Sequence, residues 1–176
     1  MEHVDFGIAF AKRLMGQALK VWAFKVMHNW KGVFFMNQNT SIGSIFINLP
    51  VKDLDRARSF WTALGFGFNE QFSDAENGLC LVLKEGEIYA MLLRHESFQT
   101  FTNRPIADGL STQVLLAIDV GSRDKVDEII KTAIANGGTH YLEPADHGWM
   151  YYDRFADPDG HQWEIMSTDA TLLPKD

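Results

Sequence analysis

The feature that most constrains this chain is a pattern that occurs twice after Ser44: an alternating strand, a helix ended by glycine, then three short strands. In the first copy Ile45, Ile47, Leu49 and Val51 alternate with Phe46, Asn48 and Pro50, the period-two signature of a strand with one aliphatic face. Asp53 can cap a helix whose buried stripe is Leu54, Ala57, Trp61 and Leu64, and Gly65 ends it. Strands are expected near 66–72, 78–84 and 87–94, followed by a loop with a helical turn from Glu96 to Phe101 that runs to Pro105. The second copy repeats the plan. Val114, Leu116 and Ile118 alternate with Gln113, Leu115 and Ala117, Ser122 can cap a helix carrying Val126, Ile129, Ile130 and Ala133, and Gly137-Gly138 ends it. Strands follow near 139–143, 149–156 and 161–167. Gly65 and Gly137 sit at matching places, which supports an internal duplication of pattern.

Each helix has to cover one face of its sheet, and the aliphatic strand faces serve that contact. The opposite faces are left to line a cavity: Phe46 and Asn48, then Tyr89, Met91 and Leu93, then Gln113, Leu115 and Ala117, then Gln162, Glu164 and Met166. Such a cavity is largely apolar with a few polar groups, the make-up of a small-molecule pocket.

The most distinctive local stretch is Asp157-Pro158-Asp159-Gly160-His161-Gln162-Trp163-Glu164. Proline presets φ and glycine tolerates positive φ, so Asp157 and Asp159 are explained by turn chemistry. Alternation then puts Glu164 among apolar neighbours, where a carboxylate needs a partner. That partner is either a ligand, making Glu164 an anchor or general base, or a protein donor such as Gln113, Tyr151 or a backbone N–H. His161 lies three residues away, on the opposite face of the strand, and is no natural co-ligand. His147, between Asp146 and Gly148, sits in a loop that either folds over the cavity or bonds a carbonyl. Trp149 and Tyr151 are candidates for stacking on a planar ligand. His3, His28, His95 and His140 have no partner spacing and read as surface residues.

The closing turn, with Leu49-Pro50-Val51-Lys52-Asp53-Leu54, Phe60-Trp61, Leu64-Gly65-Phe66 and Asp146-His147-Gly148-Trp149, resembles the vicinal oxygen chelate superfamily. That group includes glyoxalase I, extradiol dioxygenases, fosfomycin-resistance enzymes and bleomycin-binding proteins. The resemblance covers roughly residues 43 to 169, in order. It implies an α+β glyoxalase/bleomycin-resistance fold, two βαβββ modules forming a curved, cup-like mixed sheet, here preceded by an N-terminal amphipathic helix. Modules are expected over 43–94 and 111–169, joined by a linker over 95–110, within a domain of 41–169 and with a tail of 170–176. Metal ligands in the superfamily's enzymes fall on four strands, and carry-over places them at Phe46, Met91, Gln113 and Glu164. Phe46 has no donor atom, and the Met91 thioether is a poor partner for hard divalent ions. The expectation is therefore a cup for a small organic molecule with no cofactor. The alternative is a metal-dependent lyase, isomerase or dioxygenase, similar to lactoylglutathione lyase, using Gln113 and Glu164. Relatives of this kind often pair, so a homodimer is expected.

The remaining sequence narrows the setting. A formal charge of −7 over 176 residues leaves no basic field for nucleic acid. The single cysteine, Cys80, lies in the apolar run Leu79–Leu83 and reads as an inert strand thiol. Residues 1–40 form a basic leader with Lys12, Arg13, Lys20, Lys25 and Lys31, in which Ile8, Ala11, Leu14, Met15, Ala18, Leu19, Trp22 and Val26 share one helical face. It is expected to be a docked or dispensable amphipathic helix outside the binding site, and Met36 could itself begin a complete domain. With no membrane span and no secretory signal pattern, the expected location is cytoplasmic.

Overall fold

The computed structural model describes residues 41–109 and 111–173. The expected leader helix, and Met36, lie outside the described residues. The chain runs β1 (Ile45–Val51), α1 (Leu54–Ala63), β2 (Gly78–Lys84), β3 (Ile88–Arg94), α2 (His95–Gln99), β4 (Leu116–Asp119), α3 (Arg123–Ala135), β5 (Thr139–His140), β6 (Ala145–Asp146), β7 (Met150–Ala156) and β8 (Gln162–Thr168). A 3-10 turn, Ala170–Leu172, follows.

The doubling is visible in the pairing. The first sheet has the order β1-β3-β2, with β1 parallel to β3, and the second β4-β8-β7-β5, with β4 parallel to β8 and β6 beside β7. In each module the first strand therefore lies parallel to the last, and the crossover helix covers one face. Both helices begin as their sequences dictate. The Asp53 carboxylate accepts from Arg56 N at 2.9 Å, and the Ser122 hydroxyl from Lys125 N at 3.4 Å. Gly65 and Gly137, at φ of 87° and 100°, occupy the left-handed positions that end the helices.

Two strands expected from the sequence are shorter than their patterns. Residues 66–72 make one isolated bridge, Phe68 to Leu81, because local turns take up the backbone beyond it: Asn69 Oδ1 accepts from Gln71 N and Asn69 O from Phe72 N. The segment 139–143 pairs only through Thr139 and His140, and pairing resumes at Ala145, after Pro144, which has no N–H to give a ladder.

One core joins the modules. Leu49 and Val51 of β1, Leu79 and Leu81 of β2, and Ala90 and Leu92 of β3 meet α1 from one side. Phe155 of β7 with Trp163 and Ile165 of β8 belong to the same cluster, as do Val126, Ile130 and Ala133 of α3. Trp61, only 1% exposed, is the keystone, with ring centroids 4.6 Å from Trp163, 5.2 Å from Phe66, 5.4 Å from Phe60 and 6.3 Å from Phe155. Cys80 is fully buried, and burial pushes its thiol pKa up, as expected of an inert residue.

The Asp157–Gly160 turn locks the modules together. Asp157 is buried and accepts from Asp159 N, His161 N and, at 3.2 Å, Trp163 Nε1, while burial raises its pKa against these donors. Asp159 reaches the first module, where Oδ1 accepts from Lys52 N at 2.9 Å and Arg56 Nη2 at 2.7 Å. His161 Nε2 lies 2.8 Å from the Pro50 carbonyl. The histidine is thus a turn residue, as its spacing implied.

Candidate functional site

Because both sheets give one face to the common core, their other faces point away from it. On the first module this open face is aromatic. Phe46 stacks on Tyr89, its partner across the β1–β3 pair, at 5.0 Å and 17°, and Phe72 meets Phe46 edge-on at 6.3 Å. Phe46 stays 48% exposed, whereas Tyr89 is buried and its hydroxyl accepts from Gly86 N. Asn48 is exposed and Met91, opposite it, half-buried.

On the second module the open face is polar at its centre. Register pairs Arg154 with Glu164, and Arg154 Nε donates to Glu164 Oε1 at 2.9 Å. Their side chains are 14% and 25% exposed, so the pair is mostly removed from water. Arg154 Nη1 also donates to the Glu143 carbonyl at 3.2 Å, and the guanidinium lies 4.3 Å over the Tyr152 ring. His147 stacks on Tyr152 at 5.8 Å. The Tyr141 hydroxyl is buried with no hydrogen-bond partner among the described residues, and burial followed by the nearby Glu164 charge raises its pKa.

The sequence-derived candidates thus divide. Phe46, Asn48, Tyr89 and Met91 share the first open face, and His147, Gln162 and Glu164 the second. Gln162 Oε1 accepts from the Thr112 hydroxyl at 2.7 Å. Gln113 and Leu115 are exposed and precede β4 rather than lying within it. Trp149 is half-buried just before β7. Tyr151 points to the helix side, where its hydroxyl donates to Asp127 at 2.7 Å, a bond that pushes its pKa up to about 12. Its neighbour Tyr152 is the tyrosine of the open face. The open faces belong to two different sheets, and each points away from the core that the sheets share.

Arg154, Tyr152 and Tyr141 did not emerge from the sequence. The signal for Arg154 was present, because a hairpin closing on Asp157–His161 aligns Ala156 with Gln162 and so Arg154 with Glu164. His140 is a surface residue as expected, and its ring also meets buried Asp153 at 2.7 Å, a partner that the sequence spacing did not show. Among the described residues no three His, Cys, Asp or Glu side chains group as a metal site. No described helix is long and apolar enough to cross a membrane.

The fold and its two open faces define a protein built from two modules, each a helix packed on its own mixed sheet. Residues 42–165 match the family described as Glyoxalase/Bleomycin resistance protein/Dioxygenase superfamily, and the chain belongs to it. A hypothetical protein from S. aureus shares 24% identity with a TM-score of 0.62, over 73% of this chain and 95% of that one. A glyoxalase/bleomycin resistance protein/dioxygenase family enzyme from Burkholderia phytofirmans shares 21% and 0.57, over 70% and 96%. The fosfomycin resistance protein FosX from Listeria monocytogenes shares 21% and 0.53, over 78% and 97%. At these identities the likeness is one of fold. No curated protein matches the sequence significantly.

Proposed function

We propose that this chain is a small-molecule-binding member of the superfamily whose cup has no divalent metal centre and is completed by a second copy of the chain. The observation that carries this reading is the Arg154–Glu164 pair. Of the four carried-over ligand positions, Phe46 and Met91 cannot serve a hard cation, Gln113 offers one amide oxygen, and Glu164 Oε1 is engaged by a guanidinium. These residues do not fit a divalent ion. The rival reading, a metal-dependent lyase, isomerase or dioxygenase with Glu164 as ligand or base, has only Glu164 Oε2 and Gln113 to work with.

The open faces support the pairing of two copies. β1 and β4 are edge strands among the described residues, and exposed apolar side chains lie at the start of β1, Ile45 and Phe46, and just before β4, Val114 and Leu115. A second copy turned to lay its polar face against this aromatic one would cover them and enclose a cup of mixed character.

Two measurements test the reading. Titration of the full chain with 2-naphthol, followed by tryptophan fluorescence, should saturate and weaken in Phe46→Ala and in Tyr152→Ala. A mixture of those two variants should regain some tight sites, because one of the two cups in each mixed dimer is intact. Turnover of 2-oxoaldehyde thiol adducts, acyl thioesters or catechols that is lost in Glu164→Gln would favour the enzyme reading instead. No recovery on mixing would refute the shared cup.

A further inference from the structure

The Arg154–Glu164 pair is not a closed two-pronged fork. Nε meets Oε1, Nη1 is turned to the Glu143 carbonyl, and neither Nη2 nor Oε2 has a hydrogen-bond partner among the described residues. A donor and an acceptor of opposite charge are therefore left beside each other on the open face. A flat wall runs alongside, since the guanidinium lies over the Tyr152 ring and that ring stacks on His147. The Tyr141 hydroxyl, buried without a partner among the described residues and within electrostatic reach of both charges, is an independent sign of an unfilled polar position there, because buried polar atoms are otherwise almost always satisfied.

The geometry points to a ligand head group that is a planar, uncharged amide or lactam attached to an aromatic or apolar body. This inference rests on reading the open face as a ligand site, and it deepens that reading by naming the head group. Charge decides between the options. The pair sums to zero, so a carboxylate docked on Nη2 meets the Glu164 charge, and an ammonium docked on Oε2 meets Arg154. The buried acid nearest in sequence, Asp153, is on the other face and held by His140. A neutral amide matches both groups at once: its carbonyl accepts from Arg154 Nη2 and its N–H donates to Glu164 Oε2. The ring attached to it meets the edge of Tyr152, whose faces are taken by the guanidinium and by His147. The Tyr141 hydroxyl feels the charges of both Glu164 and Arg154, so it lies near the same polar end.

Three probes that differ only in head group test this on the full chain: 2-naphthamide, 2-naphthoate and 2-naphthamidinium, titrated by fluorescence or NMR. The amide should bind at least about tenfold more tightly than either ion, the size expected when one buried partner is left mismatched. Glu164→Gln leaves a net positive site and should turn the preference to naphthoate, and Arg154→Met should turn it to naphthamidinium. The double variant Arg154→Gln/Glu164→Gln, which buries no unpaired charge and so guards against misfolding, should bind all three within a few-fold of one another. If the three probes bind the wild-type chain equally, with binding lost in Phe46→Ala, the cup stands and the head-group assignment falls. If none binds a folded wild-type chain, both fall.

Discussion

Asp159 offers a direct test of how the two modules are held together. Its side chain is 4% exposed and accepts two hydrogen bonds from the first module, from Lys52 N and Arg56 Nη2. A bond to a buried carboxylate contributes about 1.5 kcal/mol or more, whereas the Arg56 partner is 43% exposed and its share falls to about 0.5 kcal/mol through solvent screening. Asp159→Ala should therefore cost about 2 kcal/mol, or about 4–8 °C in melting temperature for a chain of this size. Asp159→Asn keeps an acceptor for Lys52 N and should cost about 0.5–1 kcal/mol. Arg56→Met should cost least of the three. Urea unfolding followed by tryptophan fluorescence reads all of them, with Trp61 and Trp163 at the module junction as reporters. An alanine variant within about 0.5 kcal/mol of wild type, or an asparagine variant as unstable as alanine, would refute the clamp.

Three further outcomes follow from the same contacts. Trp61→Ala removes the ring that touches Phe60, Phe66, Phe155 and Trp163, and should lower stability by about 3–5 kcal/mol in the same urea assay. The Arg123 guanidinium, then the Gly148 N–H, depress the Asp146 carboxyl from 3.8 to about 2, so its stabilising contribution is present above the ordinary value and lost as pH falls toward 2. Asp146→Asn should flatten the urea midpoint's dependence on pH across that window, an effect that shrinks in 1 M salt because the pair is exposed. Tyr141→Phe removes the orphaned hydroxyl and should raise apo stability by about 1 kcal/mol while weakening 2-naphthamide binding. A fall in apo stability would mean the hydroxyl already has a partner in solution.

Much of the fold could be read from the sequence because burial there follows strict periods. Leu49 and Val51, Leu54, Ala57 and Trp61, and Val126, Ile130 and Ala133 all lie where alternation or the helical stripe puts them. Caps and helix-end glycines act over a few residues and were equally legible. Strands 66–72 and 139–143 were overestimated because pairing there is decided by Asn69 and Pro144, whose effect on the backbone outweighs the apolar pattern. The site was only half legible. Alternation put Phe46 and Glu164 on open faces, but counting from the buried Phe155 was needed to give that face Tyr152 and Arg154 instead of Tyr151. That the two sheets share a common core depends on how α1 packs against both, through Phe60 and Trp61 on Phe155 and Trp163, a contact between residues distant in sequence that no local pattern carries.

Metal analysis of the purified full chain bears most directly on the claim that an internal ion pair stands where a metal would be bound. The protein, prepared without chelators and equilibrated with zinc, manganese and iron in turn, should retain well under one equivalent of each after gel filtration, and Glu164→Gln should leave that content unchanged. A stoichiometric divalent ion that is retained by the wild-type chain and lost in Glu164→Gln would contradict the account.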